Sequence, residues 1–91
     1  MQQADDNNLK FRKIVGETFK EVRENHVDSS LNNFARSYGL DRGNLSKIER
    51  GIIGCQLATA WKISEACGVK LSEVIKSVED RLGETFKLID E

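Results

Sequence analysis

The chain has 91 residues, of which 38% are hydrophobic and 32% charged, and 14 Lys and Arg stand against 15 Asp and Glu for a formal net charge of -1. A chain of this length is expected to make one domain with one modest core and no second, catalytic domain. No apolar run reaches the roughly 18 residues of a membrane span, and the opening MQQADDNN lacks the basic-then-apolar order of a signal peptide, so a cytoplasmic protein is expected.

With no proline in the chain, nothing forces a break within a helical run. Residues 1–8 are polar and offer nothing to bury, which suggests a flexible N-terminal arm leading into a first helix near Asn8 or Leu9. Phe11, Ile14, Val15, Phe19 and Val22 then recur at three-and-four spacing, which puts them on one helical face. That pattern ends between Asn25 and Asp28.

Ser29 or Ser30 is placed to cap a second helix carrying Leu31, Phe34, Ala35 and Tyr38. Gly39 ends it, because a glycine there takes the left-handed conformation at little cost, and Asp41 is placed to cap a third helix. Within that helix Leu45 and Ile48 point inward, leaving Arg42, Asn44, Ser46, Lys47 and Arg50 outside. Gly51 closes it.

A fourth helix is read from Gln56 to Cys67, with Leu57, Ala60, Trp61, Ile63, Ala66 and Cys67 as a broad apolar surface. Trp61, Phe34 and Phe19 are expected in the core. The fifth helix starts at Leu71 or Ser72, with Ser72 as a possible cap, and buries Leu71, Val74, Ile75, Val78 and Leu82. The domain thus spans residues 9–82. Residues 83–91 form a C-terminal tail, either a short strand or a docked segment, whose Phe86, Leu88 and Ile89 together with the fifth helix offer a possible dimer contact.

Charge is unevenly distributed along this order. Between Leu31 and Arg50, Arg36, Arg42, Lys47 and Arg50 oppose only Asp41 and Glu49, whereas from Ser72 onward Lys76, Arg81 and Lys87 face six acids. A basic middle is thereby joined to an acidic end.

The segment from Phe34 to Gly51 resembles the helix-turn-helix of the lambda-repressor and Cro-like family, also called the xenobiotic-response-element or XRE family. Ala35, Gly39 and Leu40 match its helix crossing and turn, and Leu45, Ser46, Ile48, Glu49 and Gly51 match the ending of its recognition helix. The likeness continues through Lys62–Val74, the family's fourth helix, glycine turn and fifth helix. It implies an all-α, five-helix lambda-repressor-like DNA-binding domain. It also implies that Arg42, Gly43, Asn44 and Lys47 face DNA bases.

Arg and Lys can donate to guanine O6 and N7 and Asn can pair with adenine, at about 1–3 kcal/mol of discrimination per good bidentate contact. Gly43 would allow close backbone approach. Ser30, Arg36, Ser46 and Arg50 are candidate phosphate contacts, Ser30 by its place at a helix N-terminus. The family also pairs the equivalent of Glu49 with a basic residue of the first helix, for which Arg23 is the candidate, as a structural ion pair.

Three features depart from the family pattern. Leu31 stands where many members carry a phosphate-contacting glutamine, Ile52 and Ile53 stand where basic residues are common, and Cys55 replaces a common proline. Fewer phosphate contacts are implied.

Double-stranded DNA is the expected partner, bound by a homodimer, since two copies of one reading helix recognise half-sites about 34–36 Å apart. The alternative is a protein-interaction module on the same fold, antitoxin-like or an accessory subunit, using the acidic end. An enzyme is not expected. The chain has one histidine, no nucleophile beside a base and no phosphate-cradling loop, and Cys55, Cys67 and His26 make no four-ligand metal set. Neither a metal, a cofactor nor a small-molecule effector is called for, and both cysteines read as small apolar side chains.

Overall fold

A computed structural model describes residues 2–89, with side chains from residue 6 onward. Five helices follow one another: α1 (Gln2–His26), α2 (Leu31–Ser37), α3 (Arg42–Glu49), α4 (Leu57–Ala66) and α5 (Leu71–Leu82). No strand occurs among the described residues. Met1, Asp90 and Glu91, the outer ends of the expected arm and tail, lie outside them.

The core forms where the apolar stripes of these helices meet. Val15 and Phe19 of α1, Phe34 and Ala35 of α2, Leu45 of α3, Ala60 and Ile63 of α4 and Val74 and Val78 of α5 pack into one buried cluster. Each large side chain removed from water in this way contributes about 1.5–3 kcal/mol. Helix α1 is the spine, with α3 and α5 against it, while α2 packs on α3 and α4 on α5. Its 25 residues account for most of the molecule's 42 Å longest dimension, at about 1.5 Å of rise per residue.

Several expectations change here. Helix α1 begins at Gln2, not near residue 8, because residues 1–8 contain no helix breaker and a helix already anchored by its apolar stripe extends at little cost. Its early turns are also held from outside. Asn7 Nδ2 donates to the Lys87 carbonyl at 2.8 Å, and Phe11 stacks on Phe86 with centroids 6.3 Å apart, so residues 83–89 of the tail are a docked segment of turns and not a strand.

Ser72 lies inside α5 and does not cap it. The residue before the helix is Lys70, which makes no side-chain cap hydrogen bond, and starting at Leu71 brings Leu71, Val74, Val78 and Leu82 to the inner face, whereas Ile75, expected in that stripe, is exposed at its edge. Trp61 and Leu57 are not core: they remain 62% and 73% exposed. Helix α4 turns Ala60, Ile63 and Ser64 inward, with Cys67 just past its end, which leaves Leu57 and Trp61, at i, i+4, together on an exposed flank.

Candidate nucleic-acid interface

The second and third helices and the turn between them are fixed by local chemistry. Ser30 Oγ accepts from the Asn33 amide at 3.2 Å, ordering the start of α2. At its end Gly39 adopts φ +65°, and the Leu40 amide reaches back to the Ala35 carbonyl at 2.9 Å, a closure that needs a left-handed residue. Leu40 is thereby drawn under the helices, and Asp41 Oδ1 accepts from the Asn44 amide at 2.8 Å to start α3. Both expected caps are made.

Helix α3 is held to the body at its C-terminal end. Arg23 of α1 grips Glu49 through two parallel hydrogen bonds, Nε to Oε2 at 2.7 Å and Nη2 to Oε1 at 2.9 Å, with both side chains less than one-tenth exposed. The fork geometry suits a carboxylate, and the bond to Glu49 raises the Arg23 pKa although burial opposes it. Arg12 Nε adds a bond to the Gly51 carbonyl at 3.3 Å.

Backbone contact completes the clamp. A Cβ on Gly16 of α1 would lie 2.2 Å from the Ile48 carbonyl oxygen and 2.7 Å from that of Glu49, so only glycine permits the two helices to approach this closely. Gly51, at φ +75°, likewise lies against the backbone of Lys13.

With Leu45, Ile48 and Glu49 turned inward, the opposite side of α3 is open to solvent. Arg42, Gly43, Asn44 and Lys47 are all exposed there. Glu49 is neutralised inside by Arg23, so Asp41 is the acid left beside the cations of this helix. The outward surface is therefore more cationic than the count of charges along the segment.

The sequence matches a family model described as helix-turn-helix over residues 19–74, which takes in α2, the turn, α3 and the Arg23–Glu49 pair. The chain belongs to the helix-turn-helix family. Control protein C.MunI from Mycoplasma sp is 36% identical over 73 residues, which is 80% of this chain and 96% of that protein. The chain is a DNA-binding transcriptional regulator of the lambda-repressor and Cro-like type.

In this helix-turn-helix regulator the expected site residues do not all stand alike. Arg42 Nε donates to Oδ1 of Asn32 on α2, so the side chain is tied to its neighbouring helix. Arg50 folds back on its own helix, with Nε on the Ser46 carbonyl at 3.3 Å, and Ser46 itself is half-buried. Ser30 and Arg36 are exposed at opposite ends of α2. Ser30 combines its exposed position with the cap already described.

Gly16, Arg12 and Asn32 were not singled out from the sequence. Gly16 did carry a signal: a glycine inside an otherwise regular helix costs about 1 kcal/mol against alanine and calls for a packing reason. Arg12 and Asn32 are ordinary surface types with no local signal.

Among the described residues no group of His, Cys, Asp and Glu is gathered to hold a metal, and no helix is long and apolar enough to cross a membrane. Burial pushes the half-buried Cys55 thiol up to about 11 and also raises that of the buried Cys67. Neither thiol is activated by its surroundings.

Proposed function

We propose that the protein is a sequence-specific regulator that binds duplex DNA as a symmetric homodimer, inserting α3 of each copy into the major groove. Arg42, Asn44 and Lys47 read base edges, and Gly43 lets the backbone of the first turn come close. Ser30, Arg36, Ser46 and Arg50 meet phosphates. The observation that carries this reading is the division of α3, with Leu45, Ile48 and Glu49 buried and Arg42, Gly43, Asn44 and Lys47 exposed in its first two turns. A helix held out in this way matches the width of the groove.

The exposed pair Leu57 and Trp61 supports dimerisation through α4 and the start of α5, beside the half-buried Val69 and Leu71. Exposed aromatic and aliphatic side chains in one place are typical of a protein interface. In the tail Phe86 is engaged by Phe11, while Leu88 and Ile89 stay exposed, so the tail is the alternative surface for this task. C.MunI bears the name of a control protein, and we read this chain in the same sense, as a protein that sets transcription at a DNA site it recognises.

Selection of bound sequences from a random DNA pool, followed by affinity measurements over a salt series, tests the proposal. The selected site is expected to contain two half-sites related by a twofold axis, and log affinity is expected to fall steeply with log salt. Arg42→Ala should lose base preference, whereas Arg36→Ala should weaken binding to all sequences alike and flatten the salt slope. Binding that is insensitive to salt, or a base preference that survives Arg42→Ala, Asn44→Ala and Lys47→Ala, would reject it.

A further inference from the structure

The side chain that opens α3 is held by a residue of the other helix. We propose that Asn32 of α2 is a positioning residue for base recognition: by accepting from Arg42 Nε it fixes the guanidinium before DNA arrives and so sets the preference at the base pair that Arg42 meets. The inference rests on the base-reading role proposed above for Arg42.

Three observations support it. The bond uses Nε, so Nη1 and Nη2, the paired donors that suit guanine O6 and N7, are left for a base edge. Asn32 is exposed and stands in the first turn of α2, whose start is ordered by the Ser30 cap on the next residue. Its anchor is therefore firm although its side chain supports none of the core. Finally, Gly39 and the Leu40 closure fix the angle between α2 and α3, so the distance from Asn32 to Arg42 is set by the turn and not by a flexible loop.

The physical gain lies in preorganisation. An arginine has many rotamers, and one held in a binding-competent orientation loses less freedom when it docks. Correct geometry is favoured over a neighbouring, wrong one. A side chain released by loss of Asn32 would still carry its charge to the DNA but would discriminate less between bases.

The test uses the full chain and the DNA site obtained by selection, with every base pair of a half-site substituted in turn. Asn32→Ala is expected to reduce discrimination by roughly three- to tenfold, the equivalent of ordering one long side chain, and only at the pair where Arg42→Ala also reduces it. In an Arg42→Ala background it should change nothing further. Asn32→Asp keeps an acceptor while adding negative charge, so discrimination should persist as affinity for all sequences falls. Thermal unfolding of Asn32→Ala should match that of the parent chain.

Unchanged discrimination in Asn32→Ala, with Arg42→Ala still losing it, would overturn the positioning role and leave base reading by Arg42 intact. A uniform loss of affinity with a shallower salt slope would overturn it too, by making Asn32 a phosphate contact. If Arg42→Ala itself left every preference unaltered, the base-reading assignment would fail and this inference with it.

Discussion

Arg23 and Glu49 illustrate how a charge pair can serve an interface without touching it. Burying either ion alone is expensive, and the two bonds at 2.7 and 2.9 Å compensate that cost only while both partners are present. Glu49→Leu or Arg23→Met alone is expected to lower stability by about 3–5 kcal/mol, and the double variant by less than either, measured by denaturant unfolding of all four proteins. Additive losses would mean that the pair is not coupled. The raised Arg23 pKa stabilises the folded state at every pH below the guanidinium's ordinary range, and that contribution is lost only as pH rises through the raised value, so it gives no pH dependence near neutrality.

At the same scale, residues with local duties were legible in the sequence. Ser30, Gly39 and Asp41 act on backbone groups within five positions of themselves, so spacing alone indicates their roles. The partnership of Arg23 with Glu49 spans 26 positions and came from family likeness, not from periodicity. Asn32 could not be found this way, because its value depends on where Arg42 lies in space.

Between elements, the decisive contact is the one without a side chain. Helix α1 passes so close to the end of α3 that a methyl group on Gly16 would overlap two carbonyl oxygens. Gly16→Ala, which ordinarily favours a helix, is therefore expected to cost about 3 kcal/mol and to lower the thermal midpoint, because backbone cannot yield as a flexible side chain would. A neutral or raised midpoint would show that the helices can separate freely. This approach was invisible to apolar periodicity, which describes stripes and not separations.

The same limitation explains Trp61 and the first eight residues. Apolar spacing in α4 does not distinguish a core face from a face exposed for another purpose, and all its apolar positions merged into one surface. Residues 2–8 gave no stripe to follow, yet they continue α1 and meet the tail through Asn7 and Lys87. Helix existence and order were readable throughout. Ends that depend on distant partners were not.

For the whole molecule, the partition of charge and apolar surface suggests two faces with separate tasks. The cationic side of α3 faces solvent, while Leu57 and Trp61 offer an apolar area elsewhere, on α4. Trp61→Arg is expected to shift sedimentation toward the monomer at least tenfold in dissociation constant, since buried aromatic anchors at an interface commonly contribute about 2 kcal/mol or more. Binding to a paired site should weaken with it, while contact with a single half-site persists. A Trp61→Arg protein that remains dimeric, beside a Leu88 and Ile89 variant that does not, would move the interface to the tail.

The Gly16 approach, the Arg23 fork and the Arg12 bond to Gly51 all grip the C-terminal end of α3, while Arg42, Gly43 and Asn44 open the helix and Lys47 is exposed in its last turn. Helix α3 is thus bolted from its inner side, by α1 at its end and by α2 at its start, and it keeps one long side clear of both. If that side reads DNA as proposed, new lettering can be cut into it without loosening the bolts, so the preferred DNA word and the durability of the domain would change independently.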